Sequence, residues 1–301
     1  AMARIDDDSV VAIGGLKRGL DNTDAPDRNY NSLVWKYSRK DKFWSIVRPM
    51  VPGTQPSIRM ASAAAYLEPG KALVFGGRYK SRFYDDTYTV SLKKGDSVGQ
   101  WKKLNLTKSP EGRAYYAMAA IVERKAVVLF AGVMPPGTRC GQDTWVFSAS
   151  TMEWKKISGD SPEPRCRHAM ASFGKNKAIL FGGVCGGSIY NDLWEFNYDT
   201  EAWRRIQSNQ NSESLKVPAQ CYHPLLAPLH TPNTFVMYGG TDYEKKDFTE
   251  TWILWFDAAG KHHWKNIDSA RKPLDSEFGK IAPIGTGPGT GQSVEVVVFG
   301  G

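Results

Sequence analysis

One pattern of apolar and polar positions recurs along the chain. Short apolar runs end in two small residues: SVVAIGG (9–15), KALVFGG (71–77), AVVLFAG (126–132), KAILFGG (177–183), TFVMYGG (234–240) and VEVVVFGG (294–301). Each run is too short for a helix and rich in Val, Ile and Phe, which predicts a buried strand. The small residues release the chain at backbone angles denied to larger ones, or admit a close neighbour. After a loop comes an alternating stretch: LVWKY (33–37), DTYTV (86–90), DTWVF (143–147), DLWEF (192–196) or ETWIL (250–254). Alternation predicts a strand with one buried face. A polar turn then leads to a strand marked by Trp44, Trp101, Trp154, Trp203 or Trp264. Ahead of the apolar runs lie strands rich in small residues: RMASAAAY (59–66), RAYYAMAAIV (113–122), RHAMASFG (167–174) and CYHPLLAPL (221–229). Small side chains suit a crowded position nearest a central axis. Four strands repeated radially at roughly 50–60 residues predict a β-propeller. No stretch keeps a 3.6-residue period over helical length, so helix should be scarce.

All the tryptophans except Trp255 fall at the two recurrent aromatic positions, which assigns them to architecture rather than to a ligand cage. Of 301 residues 41% are hydrophobic, 12% aromatic and 23% charged, the profile of a soluble globular chain. No apolar run reaches the length of a membrane span. Cys140, Cys166, Cys185 and Cys221 form no C-x-x-C pair, and such scattered cysteines suit a reducing compartment. The opening Ala1-Met2-Ala3 reads as an appended scar, and the Asn105-Leu106-Thr107 sequon as a chance triplet. The net charge of +8 points to solubility or to an acidic partner: a carboxylate-rich peptide, nucleic acid or a membrane surface.

The double glycines, the strand starts Asp86/Tyr88, Asp143/Trp145, Asp192/Trp194 and Glu250/Trp252, and the later tryptophan resemble the kelch repeat. The resemblance covers residues 9 to 301 and implies an all-β, kelch-type propeller of six four-stranded antiparallel blades in a single domain over 1–301. The repeats run over 9–47, 58–104, 113–157, 165–206, 220–267 and 278–301. The first unit lacks a small-residue strand before Ser9, and the sixth is incomplete within this chain. Resemblance to kelch propellers also implies a non-catalytic interaction module, a ubiquitin-ligase substrate receptor or a scaffold, intracellular in the cytoplasm or nucleus.

Kelch propellers carry two loop sets on one face, after each double glycine and before each small-residue strand. Here both sets are basic. Arg59, Arg113 and Arg165 sit at equivalent places ahead of their glycines, and radial symmetry turns equal spacing into a ring. They are expected to converge at the channel mouth, with Arg78, Tyr79, Arg82, Tyr115 and Arg139 around them, to bind an acidic protein segment. The competing reading has these strand-start arginines satisfying carbonyls of neighbouring blades. RNA or another polyanion is the alternative partner. No cofactor or metal is expected. His168 and His223 start corresponding strands and read as structural, and His262-His263 as a solvated turn. The galactose-oxidase and specifier-protein sites known on this architecture find no match, because EKKDFTE (244–250) has the wrong spacing for E-x-x-x-D-x-x-x-H and no histidine. GTGPGTG (285–291) precedes a strand and lacks the P-loop lysine, so it reads as a turn.

Overall fold

A computed structural model describes residues 1–14, 33–208, 217–229, 231–244, 247–267, 280–284 and 295–299. The loop 16–30, Lys245, Lys246, His230 and the segment 285–291 lie outside the described residues.

The short apolar runs form second strands, Ser9–Ile13, Lys71–Phe75, Ala126–Phe130, Lys177–Cys185, Thr234–Tyr238 and Glu295–Phe299. Ser9–Ile13 and Ala126–Phe130 are buried at every position, as a strand covered on both faces must be. On one side of each lies an inner strand: Met2–Arg4, Ala63–Glu68, Ala117–Ile121, Ala169–Phe173, Leu225–Pro228 and Lys280–Ile284. On the other side, in blades 1 to 5, lies a third strand (Val34–Ser38, Thr87–Ser91, Thr144–Ser148, Ser188–Asn197, Thr251–Phe256). Each third strand is followed by an outer strand (Phe43–Pro49, Val98–Lys103, Glu153–Ile157, Ala202–Gln207, His262–Ile267). Each inner strand lies beside the next, and Lys280–Ile284 lies between Leu225–Pro228 and Met2–Arg4, so the ring closes on six blades. The described helix is a single 3₁₀ turn, Val122–Arg124.

Two expectations are corrected. Residues at the chain start are not outside the fold: Met2–Arg4 is the inner strand of blade 1, paired from Met2 opposite Ala12 to Arg4 opposite Val10. Three residues are too few to show an apolar pattern. The outer strands of blades 1 and 2 also join in parallel, with Arg48 N–H donating to Ser97 and Met50 N–H to Gly99, both at 2.9 Å. Gly99 permits this approach, since a Cβ there would lie 3.1 Å from a Val47 methyl.

The outer-strand tryptophans are equivalent by register: Trp44, Trp101, Trp154, Trp203 and Trp264 lie opposite Tyr37, Val90, Phe147, Phe196 and Leu254. Trp101 and Trp154 are buried, whereas Trp44, Trp203 and Trp264 are half-buried. Their rings join blades. Trp154 packs on Phe75 of the preceding blade at 5.5 Å, Trp203 on Phe130 at 5.1 Å and Trp264 on Phe181 at 5.3 Å. The indole N–H of Trp154 donates to Thr87 Oγ1 (3.0 Å) and that of Trp203 to Thr144 Oγ1 (2.9 Å), at the matching place in the preceding blade. In blade 1 that place holds Val34, opposite Ile13, and the buried Trp101 N–H has no hydrogen-bond partner among the described residues. Thr87→Val should put Trp154 in the same position and cost about 1–3 kcal/mol, read by urea unfolding. Val34→Thr should be neutral or stabilising, although an added buried hydroxyl ordinarily costs.

The paired small residues take left-handed backbone: Gly182 and Gly183 have φ of 70° and 102°, and Ala131 and Gly132 have 55° and 101°. At this point the chain leaves the blade and meets the entry segment of its own inner strand. Gly183 N–H donates to Cys221 O of the next blade at 2.9 Å.

Candidate functional site

The two loop sets share one end of the propeller because short bridges tie them. Met60 pairs with Arg78, Ala114 with Val133, Cys166 with Val184 and Tyr222 with Thr241. The other end carries the turns between first and second and between third and outer strands. There Leu92 N–H donates to Gly70, Ala149 to Lys125 and Tyr198 to Asn176.

At the loop end, the expected ring of three free arginines is corrected. Arg59, Arg113 and Arg165 are only 2%, 0% and 0% exposed. The Arg113 guanidinium donates to Asp143 Oδ1 at 2.6 Å, to Asp143 Oδ2 at 2.7 Å and to the Ala131 carbonyl at 3.0 Å. Arg165 grips Asp192 (2.6 and 2.9 Å) and the Gly182 carbonyl (3.0 Å), and Arg59 grips Asp86 and the Gly76 carbonyl in the same way. Their equal spacing ahead of the small residues is therefore an intrablade tether from arginine to the first carbonyl of the pair. The carboxylate does double duty: Asp143 also accepts the Trp145 indole N–H (2.6 Å) and Asp192 that of Trp194 (2.7 Å). This accounts for the D-x-W signature at the third-strand start. Burial opposes ionisation of Asp143, but the Arg113 fork and the Trp145 N–H outweigh it and hold the carboxyl below its usual value. Blade 5 breaks the pattern: buried Cys221 stands in the arginine place, and Glu250, at the third-strand start, accepts the Trp252 indole N–H at 3.3 Å.

Around the channel mouth the residues two past each arginine place, Ala61, Tyr115, Arg167 and His223, all have φ between 52° and 59°. Their backbones link blade to blade: Tyr115 N–H donates to Ala61 O (3.1 Å), Arg167 to Tyr115 O (2.7 Å) and His223 to Arg167 O (2.7 Å). His223 thus corresponds to Arg167, not to His168, which corrects the assumed pairing of the two histidines. His168 is buried edge-on to Phe130 at 5.7 Å. The Arg167 guanidinium lies between the faces of Tyr115 (5.0 Å) and Tyr222 (5.4 Å), with His223 and Tyr243 against the same aromatics. Arg167 was visible as a basic strand-start residue, but only the folded ring shows that it, and not Arg165, faces the mouth.

The hairpins after the small pairs flank this cluster. In blade 2, Arg78–Tyr79 pairs with Arg82–Phe83. Arg82 sits over Tyr84 at 4.9 Å, Arg78 over Phe83 at 5.5 Å and Lys80 over Tyr79 at 5.0 Å. Arg78 also donates to the Lys80 carbonyl (2.8 Å). In blade 3, Val133–Met134 pairs with Arg139–Cys140, and exposed Arg139 reaches Glu111 at 3.2 Å. A Cβ on Gly137 would lie 3.6 Å from Phe83, so the tips of these hairpins touch. Arg78, Tyr79, Arg82, Tyr115 and Arg139 are therefore at the end where the sequence put them; Arg59, Arg113 and Arg165 lie beneath. For Arg78, Arg82 and Arg167 no carboxylate stands within ion-pair distance among the described residues.

The cysteines also depart from expectation. Cys140 and Cys185 form a disulfide across 45 residues, joining the hairpins of blades 3 and 4, while Cys166 and Cys221 are buried free thiols. Folding, not sequence spacing, brings the pair together. Among the described residues no cluster of His, Cys, Asp and Glu could hold a metal ion, and no helix is long and apolar enough to cross a membrane.

A family profile described as the KLHDC2/KLHL20/DRC7 Kelch-repeats domain matches residues 1–227. The chain belongs to the kelch-repeat family. It is similar to Kelch domain-containing protein 1 of Homo sapiens, with 24% identity over 298 residues, 90% of this chain and 68% of that protein. It is also similar to an F-box/kelch-repeat protein of Arabidopsis thaliana, 26% identical over 83% of this chain and 52% of the relative. A third relative is the flagellar outer-arm dynein alpha chain of Chlamydomonas reinhardtii, 25% identical over 66% of this chain. The chain spans only 4% of that dynein and 58% of the mouse Kelch domain-containing protein 1. Family membership supports a protein-interaction module in general terms; the chemistry of the partner is a separate matter.

Proposed function

We propose that this kelch propeller is a non-catalytic protein-interaction module that takes an acidic segment of its partner across the loop end, as substrate receptor or scaffold. The observation that carries this reading is the division of labour among the arginines. Arg59, Arg113 and Arg165 are consumed by their own aspartates, whereas Arg78, Arg82 and Arg167 rest on tyrosine or phenylalanine faces at the same end with no carboxylate in ion-pair reach among the described residues. An arginine seated over an aromatic ring, as Arg82 and Arg167 are, can turn its N–H groups to a carboxylate and loses little further freedom on pairing, whereas the Nε and NH2 of Arg78 already donate to the Lys80 carbonyl. Tyr79 and Tyr115 add rigid contact area beside it. The similarity to an F-box/kelch-repeat protein supports the receptor variant, and an intracellular location, cytoplasmic or nuclear, belongs with it. Interleaved arginine and tyrosine also suit single-stranded RNA, which makes polyanion binding the second reading.

Partner capture by the purified chain tests the assignment. Arg82→Glu with Arg139→Glu should reduce capture by at least about tenfold while leaving the melting temperature within a few degrees, because both are exposed. Lys155→Glu with Lys156→Glu, on the outer strand of blade 3, should change capture little. Equal losses from both pairs, with steep salt dependence, would favour the polyanion reading instead.

A further inference from the structure

The disulfide lies under the proposed binding end, and its surroundings are asymmetric. On the blade 4 side the hairpin is a continuation of the main sheet: Lys177–Cys185 and Ser188–Asn197 stay paired through Val184–Ile189 to Cys185–Ser188. On the blade 3 side the hairpin is separate from its sheet: apart from the Ala114–Val133 bridge at its base it holds only the pairs Val133–Cys140 and Met134–Arg139. Such a short two-stranded piece has little stability of its own. The Cys140–Cys185 bond fastens this weak hairpin to the stiff one. It does so within a small apolar cluster of Cys166, Val184 and Tyr222, against which Tyr115, Val133, Cys140 and Ile189 pack. Tyr115 and Tyr222 are the rings that hold Arg167, and Arg139 is the residue next to Cys140. The bond therefore touches both the position of Arg139 and the platform under Arg167.

Access is asymmetric too. Cys140 and Cys185 are half-buried, whereas Cys166 and Cys221 are buried. Burial pushes the Cys166 thiol up to about 11, so at neutral pH it supplies little thiolate to reshuffle the bond, although its Sγ lies 3.4 Å from the same Val184 carbonyl that Cys140 Sγ approaches at 3.8 Å. An external dithiol can reach the bond, while internal exchange is suppressed.

We propose that Cys140–Cys185 is a reducible staple that sets the order of the blade 3 hairpin, and through it the affinity of the loop end for an acidic segment. The affinity part rests on the functional reading above; the staple part does not. In reduction, a thiolate of a dithiol reductant attacks one sulfur and the Cys140–Cys185 bond breaks. That attack leaves one cysteine in a mixed disulfide with the reductant and releases the other as a thiolate, which takes a proton. The reductant's second thiolate then attacks its own sulfur in the mixed disulfide, closing the reductant's disulfide and expelling the remaining cysteine thiolate, which is protonated in turn. The protein gains two electrons and two protons, and the reductant loses them. In an intracellular setting, where stable structural disulfides are uncommon, a bond of this kind senses redox state.

The test compares wild-type chain oxidised by glutathione disulfide, the same chain reduced by dithiothreitol, and the variant Cys140→Ser with Cys185→Ser. Alkylation and mass spectrometry count the thiols. Amide hydrogen exchange then reads the hairpin, and an acetylated hexaglutamate peptide serves as the acidic probe. The expected result is one bond and two blocked thiols on oxidation, with exchange at Gly137 and Gly141 about tenfold faster on reduction while Val184 and Tyr190 stay protected. The peptide should bind the oxidised form several-fold more tightly, and the double variant should match the reduced form with or without reductant. Four alkylatable thiols after oxidation, or identical exchange in both forms, overturns the staple. Faster exchange with unchanged peptide affinity overturns the coupling to binding. If the peptide binds neither form, the acidic reading fails, and the exchange data alone decide the staple.

Discussion

Arg113→Glu is expected to unfold blade 3 rather than to disarm a binding surface. The side chain is fully buried, and its guanidinium closes a fork on Asp143 and a bond to the Ala131 carbonyl. Glutamate would place two carboxylates together in the interior and leave the Ala131 carbonyl without its donor and Asp143 with only the Trp145 N–H. Removing one member of a buried pair costs about 3–5 kcal/mol, and reversing its sign costs more. Arg113→Ala should therefore lower the urea midpoint substantially, and Arg113→Glu should yield insoluble or protease-sensitive protein. The pH dependence has a definite sign. In the folded chain the Arg113 fork and the Trp145 N–H outweigh burial and hold the Asp143 carboxyl below its ordinary, unfolded value. Its contribution is complete above that unfolded value and is lost as pH falls through the lower folded one. Acid unfolding of the wild type should steepen below about pH 4, and Asp143→Asn should flatten that limb. Normal stability of Arg113→Glu would contradict the tether.

Gly183→Val should be nearly as damaging, for reasons of backbone rather than charge. Gly183 has φ of 102°, and a Cβ there would lie 2.8 Å from the Cys166 carbonyl and 2.9 Å from His168 Cβ. Neither neighbour is the free end of a flexible side chain, so the entry segment of the inner strand must move. Forbidden backbone and overpacking each cost about 1–3 kcal/mol, and together they should lower the melting temperature by roughly 10 °C. Gly187 has φ of 91° but open space around its Cβ position. Gly187→Val should show the backbone part alone and be clearly milder. Equal losses at the two sites would mean that the close approach at Gly183 is not what matters.

The strands, their order and the equivalence of the outer-strand tryptophans were legible because periodicity and recurrence act locally. Trp44 through Trp264 recur opposite the same third-strand position, as their spacing implied. The equivalence of Arg59, Arg113 and Arg165 was legible too, but not its meaning. Spacing says that three side chains occupy like places; it does not say whether they face solvent or a carboxylate 27 to 30 residues on. The recurrent aspartates were on view at the third-strand starts, and pairing each with its blade's arginine would have exposed the tether. Met2–Arg4 escaped notice because three residues show no period, and Cys140–Cys185 because its halves belong to different blades. Arg167 was masked by its neighbour: a shift of two residues along the entry segment carries a side chain from the blade interior to the channel mouth.

Site-specific photo-crosslinking tests the central claim most directly. A benzophenone amino acid at position 79, on the blade 2 hairpin, and another at position 201, on the turn at the opposite end, are each incorporated into the full chain and exposed to cell extract. The account predicts that position 79 captures a defined protein through a peptide rich in Asp and Glu, that unlabelled peptide competes, and that position 201 captures none of it. Capture of the same protein from position 201 and not from position 79 would contradict the account.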